Sequence, residues 1–321
     1  MPRVTVCIPT YERTRWLADT IASALGQTFT DLVVEVHDDA TPGDAVARVA
    51  AGFDDPRLRL ISHESNAGIV GNFTRSLLGA ETEYVLQLGD DDVADPRLVE
   101  LTVAALDAHP TAGVAHSRFA IVDDAGAILD PEQDWLGEPA PPLESGAAFV
   151  ERSMRYGCPV CSSTALIRRS AVPAGAFLEE DYPQFDFAFW LRMAERWDVA
   201  FVPESLCRYR VHANSHTSAL SDVTGTGYLQ DERTLRQVHA LKRHYAATRR
   251  LERIADRALR RDLVGRVRTQ TLPERRLGPT VRGLRRAARH EPRLVAEPLA
   301  WALLAGALLG PRRLARLKGR A

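Results

Sequence analysis

The sequence lacks the glycine-rich loops that hold phosphates in two common nucleotide-binding folds. After the first apolar segment, Arg3 to Ile8, the stretch from Pro9 to Arg13 stands where a G-x-G-x-x-G turn would be needed, and no Walker A sequence occurs. These absences exclude a dinucleotide-binding Rossmann unit and a P-loop. A bound nucleotide must therefore be held by side chains and a metal ion.

Cysteine is also scarce, with four residues in a chain of 321. Cys158 and Cys161 have the spacing of a redox motif or of half a zinc site, but no second pair or nearby histidine completes it. We therefore expect Cys7, Cys158, Cys161 and Cys207 to be reduced packing residues.

Long apolar runs are missing as well. The run from Leu299 to Leu309 is shorter than the ~20 residues of a membrane-spanning helix. The chain enters its first strand without an apolar export segment, and we expect it to start in the cytoplasm.

Charge is divided unevenly along the chain. The net charge of -1 combines -18 over residues 1–231 with +17 over residues 232–321. Such asymmetry indicates a change of role near Asp231. We predict a globular domain over residues 1–220 and a helical, Arg-rich extension over residues 221–321.

The extension has several interpretations. Nucleic-acid binding is not expected, because aromatic residues are not interleaved with the arginines and no known module is present. Packing against the acidic domain, or in a homo-oligomer, is one possibility. Contact with an anionic membrane is another, because Trp301 lies in the apolar run and a cationic segment, Pro311 to Lys318, follows it.

Apolar periodicity predicts alternating strands and helices in the first domain. The expected strands are Arg3 to Ile8, Leu32 to Val36, Leu58 to Ile61, Tyr84 to Leu88, Gly113 to Ile121 and Thr164 to Ile167. Helices expected between them include Trp16 to Leu25, Ile69 to Leu78 and Phe185 to Trp197. This alternation predicts an α/β fold with a doubly wound, mostly parallel sheet. Residues 131–146 are expected to form a long loop.

Three adjacent carboxylates, Asp90, Asp91 and Asp92, follow the predicted strand that ends at Leu88. Like charges at this spacing raise one another's pKa unless a counter-charge keeps them ionised. Mg²⁺ or Mn²⁺ would supply that charge and bind a diphosphate. The alternative is a solvated loop that caps the helix starting near Arg97.

Polar side chains end two further predicted strands. Thr10 and Tyr11 follow the first strand, and Asp38 and Asp39 follow the second. Open α/β sheets bind ligands at the carboxyl ends of their strands, so we expect these groups and the acidic triplet to share one crevice. Asp39 could accept a hydrogen bond from a nucleoside and Tyr11 could stack on its base, although turn formation alone would also explain Asp38 and Asp39.

Five ordered motifs over about residues 3–220 resemble family 2 glycosyltransferases with the GT-A fold. They are Val4 to Arg13 with Ile21 to Phe29, Val36 to Thr41, Asn66 to Asn72 with Leu88 to Val93, Asp186 to Arg192, and Val202 to His212. The resemblance implies inverting sugar transfer from a nucleotide-diphosphate sugar, UDP- or dTDP-linked, to a glycan, lipid-linked or small-molecule acceptor.

The resemblance also implies roles for individual residues. Thr10, Tyr11 and Asp39 would contact the nucleoside, and Asp91 would be the main residue for the metal and the diphosphate, with Asp90 and Asp92 beside it. From the residues themselves we add Pro9, Glu12, Asp38 and Asn72 to the donor-binding candidates, and His212 as a third metal ligand beside Asp91 and Asp92 or as a phosphate donor. Asp186 would be the catalytic base. Two positions depart from the family pattern: Gly89 stands where an aspartate is common, and Phe185 replaces the first acid of the usual Glu-Asp pair.

Alternatives remain for these residues and for the function. Asp186 could be a helix N-cap, and His212 an ordinary hydrogen-bonding residue. A sugar-phosphate nucleotidyltransferase would share the sheet, but it needs a Gly-rich, basic loop after the first strand. A non-catalytic nucleotide-sugar-binding module would bind the donor without turnover, and the intact Asp91 and Asp186 argue against it.

Overall fold

The computed structural model describes residues 2–135, 137–213, 232–271, 277–305 and 307. They form two compact units, the first ending at His212 and the second made of the described residues that follow. The predicted boundary between residues 220 and 221 lies outside the described residues.

Ten strands of the first unit form one sheet. They are β1 (Val4–Thr10), β2 (Leu32–Asp38), β3 (Leu58–Ser62), β4 (Tyr84–Gln87), β5 (Val93–Ala94), β6 (Ala112–Val122), β7 (Ile128–Gln133), β8 (Leu143–Glu144), β9 (Leu166–Arg168) and β10 (Asp198–Arg210). The helices are α1 (Leu17–Leu25), α2 (Ala45–Ala50), α3 (Gly68–Gly79), α4 (Leu98–Ala108), α5 (Gly146–Tyr156) and α6 (Phe185–Met193).

The main strand order is β3-β2-β1-β4-β9-β6-β10-β5, with β7 beside β6 and β8 beside β10. Neighbours from β3 to β4 are parallel, as are β6 and β10, whereas β9 runs antiparallel between β4 and β6. Most paired positions are parallel, and the predicted α/β fold is confirmed.

The strands β1 and β2 are buried along their whole length. Strands with both faces covered read as continuous apolar runs, and this explains the pattern of β1. One core holds Val4, Val6 and Ile8, and the other holds Cys7 with α3 and α6 residues. The strand ends are thereby fixed at the edge where the polar residues follow.

The predicted loop over residues 131–146 is wrong in part. Strand β7 pairs with β6, and β8 pairs with β10. Pro131 obscured β7 because proline breaks a strand pattern, yet it is tolerated on an edge strand. The thirteen-residue β10 contains Pro203 within a register shift between Val202 and Ser205.

The second unit is helical, as predicted. It contains α7 (Glu232–His244), α8 (Arg249–Thr271), α9 (Leu277–His290), a 3₁₀ turn (Pro292–Ala296) and helical residues 298–305. Its core includes Leu235, Leu263, Leu284 and Leu294. None of the helices in the described part of the chain combines the length and the apolar composition that a membrane span requires.

Candidate functional site

The carboxyl ends of β1, β2 and β4 meet at one edge of the sheet. Thr10, the last residue of β1, donates its hydroxyl to Asp90 Oδ2 at 2.7 Å. Its carbonyl accepts the Asp39 amide at 3.0 Å. Asn72, from α3, donates its amide to the backbone carbonyls of His37 and Thr10 at 3.1 and 3.4 Å. Four of the predicted donor-binding residues are thus joined in one network.

The Asp39 carboxylate is buried at the start of α3. Its Oδ1 accepts the Ala67 amide at 2.9 Å and also contacts the Arg75 guanidinium. Asp38 behaves differently, because its Oδ1 accepts the Thr41 amide and closes a turn at 3.0 Å. The turn interpretation therefore describes Asp38, whereas Asp39 is held toward α3 and is only 1 % exposed.

The loop after β1 lies against the loop after β2. The Glu12 amide donates to Thr41 Oγ1 at 2.9 Å. Glu12 and Ala40 both adopt left-handed backbone angles, with φ of 57° and 62°, which non-glycine residues adopt rarely. Pro9 is buried in β1, and Tyr11, in this loop, is 40 % exposed. An exposed ring at this place is available for stacking.

A cation already neutralises part of the acidic triplet. The Arg13 guanidinium contacts Asp90 and lies 3.2 Å from Asp91 Oδ2. Burial raises the pKa of Asp90 to about 6, against the opposing effect of Arg13. Arg13 thus supplies the counter-charge that the sequence pattern demanded.

Asp91 also contacts the last residue of the first unit. His212 Nε2 lies 3.0 Å from Asp91 Oδ2, and both side chains are buried. A carboxylate oxygen and an imidazole nitrogen at this separation fit a divalent ion such as Mn²⁺, which accepts both ligand types. The Asp91 and His212 pair therefore fits the predicted metal.

The Asp92 carboxylate is held by a different set of partners. Its Oδ2 contacts the Ser163 hydroxyl at 2.5 Å, and its Oδ1 accepts the Arg210 amide at 2.9 Å. Burial raises the pKa of Asp92 well above its usual range. Ligand atoms of Asp91, Asp92 and His212 do not all lie within 4.8 Å of one another. The structure brings together two of the three predicted metal ligands.

Gly89 makes the tight loop of the triplet possible. A Cβ atom there would lie 3.0 Å from Asp92 Oδ2, 3.1 Å from Asp91 Oδ1 and 3.3 Å from Ser163 Oγ. The aspartate common at this position in the family would crowd these oxygens. In this chain the acidic triplet therefore begins at Asp90, directly after Gly89.

The Trp16 indole packs against the His212 imidazole. The two ring centroids are 4.4 Å apart, and the indole N–H donates to the Asp124 carbonyl at 3.2 Å. The Arg210 guanidinium is 5.3 Å from the Trp16 ring, and its Nε donates to the Asp91 carbonyl at 2.9 Å. Trp16 and Arg210 thus restrain His212 and Asp91 from two sides.

Asp186 lies in the first turn of α6, where the N-cap is Gln184. Its Oδ1 accepts the Phe187 amide at 2.7 Å, and burial raises its pKa to about 6. Burial is the main cause of the raised pKa of Cys161, and the charges of Asp92 and Asp186 add to it. Both carboxylates therefore lie near enough to the Cys161 thiol to affect its pKa.

The sequence analysis assigned no role to Arg13, Ser163 or Trp16. Arg13 lies inside the first motif, and a cation three residues after Thr10 was the available signal for it. Ser163 and Trp16 are joined to the triplet through contacts across 71 residues or more. No local pattern indicates such contacts.

One known protein family matches this chain, and the match covers slightly more than half of its length. The profile described as glycosyl transferase family 2 matches residues 5–172. A Haemophilus influenzae protein described as an uncharacterized glycosyltransferase is 23 % identical over 222 residues, which cover 68 % of each chain.

Two solved structures are similar to this chain in fold. S. aureus TarS, residues 1–349 in complex with UDP-GlcNAc, matches with a TM-score of 0.59 at 19 % identity, over 84 % of this chain and 74 % of that chain. The mannosyltransferase PcManGT from Pyrobaculum calidifontis, in complex with GDP-Man and Mn²⁺, gives 0.57 at 17 % identity, over 98 % and 87 %. At these identities the likeness establishes the fold.

Proposed function

The chain belongs to glycosyl transferase family 2, and we propose that it moves a sugar, with inversion, from a nucleotide-diphosphate sugar to an acceptor hydroxyl with the help of a divalent ion. One observation carries this proposal. Thr10, Asp39, Asp90 and Asp91 form one connected group at the carboxyl ends of three parallel strands.

In this proposal the nucleoside lies over the ends of β1 and β2. Asp39 accepts a hydrogen bond from the base or ribose, and Tyr11 stacks on the base through its exposed ring. Arg75 contacts Asp39 and orients its carboxylate. Pro9, Glu12, Asp38 and Asn72 shape the surrounding loops and strand ends. The expected base is uracil or thymine.

Asp91 and His212 would hold Mg²⁺ or Mn²⁺, with the diphosphate as a further ligand. PcManGT was solved with Mn²⁺, and the nitrogen ligand here favours Mn²⁺ over Mg²⁺. A bound divalent ion stabilises the charge that develops on the leaving diphosphate. Arg13 contacts both Asp90 and Asp91, so its guanidinium would add a positive charge beside a diphosphate bound at this site.

Asp186 would take the proton of the acceptor hydroxyl. One carboxylate within hydrogen-bond reach suffices for a single inverting displacement, and no covalent intermediate is needed. The raised pKa, about 6, leaves Asp186 ionised at neutral pH and makes it a stronger base than an exposed aspartate. The proton passes to Asp186 as the hydroxyl oxygen bonds to the sugar and the diphosphate departs.

The second unit would bring the enzyme to its acceptor. Four arginines of α9 are exposed: Arg282, Arg285, Arg286 and Arg289. Val295, Leu299 and Trp301 expose 60, 52 and 61 % of their surface. Cations beside exposed apolar side chains suit an anionic membrane surface. We infer a lipid-linked acceptor for cell-envelope polysaccharide at the inner face of the cytoplasmic membrane, with residues 221–321 as the docking extension.

A panel of nucleotide sugars tests the donor assignment. The panel contains UDP-, dTDP- and GDP-linked sugars, each tested with and without Mn²⁺. The expected result is a rise in melting temperature for one nucleotide class that requires the ion, because a ligand that binds only the folded chain stabilises it by mass action. Equal melting temperatures throughout the panel would contradict the proposal.

A further inference from the structure

A second group of metal-ligating side chains lies beneath α3 and shares no residue with the acidic triplet. Cys7 on β1 is the register partner of Glu35 on β2, and His37 follows two residues later on the same face of the strand. All three side chains are buried. One ligand atom from each lies within 4.8 Å of the other two, and this is the one such group of three among the described residues.

His37 has an unsatisfied nitrogen in this group. It is 3 % exposed, and its Nε2 lies 3.4 Å from Glu35 Oε2, an ion-pair distance at which the pair does not meet the geometry of a hydrogen bond. Its other nitrogen, Nδ1, lies 3.4 Å from His63 Nε2. A buried polar atom without a partner is costly, and a cation shared by His37, Glu35 and Cys7 would remove that cost.

Neighbouring side chains already support such an arrangement. A metal-bound histidine usually donates its second N–H to a polar partner, and His63 is placed to accept it. Arg59, on the edge strand β3, lies 3.4 Å from Glu35 Oε1 and leaves Oε2 directed toward His37. The Cys7 thiol donates to the Ser76 carbonyl of α3 at 3.4 Å, and this bond would be given up when the sulfur becomes a thiolate ligand.

We propose that Cys7, Glu35 and His37 are the three protein ligands of a Zn²⁺ site that ties β1 to β2 beneath α3, with the fourth tetrahedral position left to a non-protein ligand. Thiolate, imidazole and carboxylate are the ligand types of zinc, whereas Mg²⁺ prefers oxygen. On binding, the Cys7 thiol releases its proton to solvent and the thiolate sulfur bonds to the ion. The site is separate from Asp91 and does not depend on the proposed sugar transfer.

Cobalt substitution tests the site in the full chain. The protein is stripped with a chelator, kept reduced, and titrated with Co²⁺ in excess Mg²⁺, which competes for oxygen-rich sites. The wild type should show a stoichiometric thiolate-to-cobalt charge-transfer band that Zn²⁺ removes. Absence of this band in the folded wild type overturns the proposal, whatever the variants do.

Variants assign the ligands. Cys7→Ser should abolish the band, and Glu35→Gln and His37→Gln should weaken Co²⁺ binding at least about tenfold. Cys158→Ser should retain the band and the rise in melting temperature that Zn²⁺ produces, and Asp91→Asn should retain the band. A band that survives in Cys7→Ser but disappears in Cys158→Ser overturns the assignment. If Cys7→Ser does not fold, loss of cobalt affinity in folded Glu35→Gln decides, and unchanged affinity there contradicts the site.

Discussion

His212 Nε2 lies 3.0 Å from Asp91 Oδ2, and this contact joins the last residue of the first unit to the acidic loop after β4. Trp16 packs on the imidazole with ring centroids 4.4 Å apart. Because the indole is itself anchored to the Asp124 carbonyl, the Asp91 and His212 pair is held before any ion binds. Preorganised ligands lose less freedom on binding a metal.

Trp16 should therefore control metal affinity without contacting the ion. We expect Trp16→Ala to weaken Mn²⁺ binding by about 10- to 100-fold, the range typical of residues that support metal ligands. Trp16→Phe keeps a ring but loses the hydrogen bond to Asp124, and it should have a smaller effect. Calorimetric titration with Mn²⁺ measures the affinity of both variants. Wild-type affinity in Trp16→Ala would show that the ring packs there without supporting the metal ligands.

Asp39 should contribute to donor binding rather than to the chemical step. Asp39→Ala removes an acceptor for the nucleoside and a partner of Arg75, so KM for the donor should rise while kcat changes little. Steady-state kinetics, with the donor that the panel of nucleotide sugars identifies, measure KM and kcat separately. Asp44→Ala, at an exposed ion pair with Arg48, is the control. A fall in kcat with unchanged KM would place Asp39 in the chemistry.

Asp186 should determine the acid limb of the pH–rate profile. Its pKa of about 6 predicts that kcat falls as the pH drops below about 6, because a protonated carboxyl cannot accept the acceptor's proton. Asp186→Asn should lower kcat by a factor of ~10² to 10⁴, and its residual activity should lose this limb. Activity within a few-fold of wild type would transfer the role to the neighbouring segment Glu179–Asp181.

The raised pKa of Asp186 should also make the free energy of unfolding depend on pH, independently of catalysis. The folded pKa of Asp186, about 6, exceeds its usual 3.8, so the unfolded chain releases its proton first as the pH rises from about 4 to 6. The free energy of unfolding should fall over this range through Asp186 and then level off. Urea unfolding of Asp186→Asn should show a smaller fall. An identical fall in the variant would contradict the raised pKa.

Membrane docking should need both the arginines and the apolar side chains of the second unit. Each arginine near an anionic surface contributes about 1 kcal/mol, so changing Arg282, Arg285, Arg286 and Arg289 to Gln should release the protein from anionic vesicles. Changing Val295, Leu299 and Trp301 to Ser should weaken binding at every salt concentration. Flotation measures both, with the exposed Leu78→Ser as control. Wild-type protein that stays in solution at low salt would make the second unit purely structural.

Much of the first unit could be predicted because parallel strands leave a strong local pattern. The apolar runs of β1 and β2 indicated buried strands, and the polar residues after them had to meet at one edge. The direction in which Asp92 points could not be predicted, since Ser163 and Arg210 contact it from 71 and 118 residues away. The Cys7 and Glu35 pairing was hidden for the same reason, because strand register decides it.

Titration of nucleoside diphosphates into the full chain tests the central claim most directly. With Mn²⁺ present, UDP or dTDP should bind the wild type and the control Asp44→Asn, and the Mn²⁺-dependent part of this binding should vanish in Asp91→Asn. The substitution preserves the shape of the side chain and removes its charge, so the fold should remain intact by circular dichroism. Equal affinity of wild type and Asp91→Asn in Mn²⁺ would contradict the account.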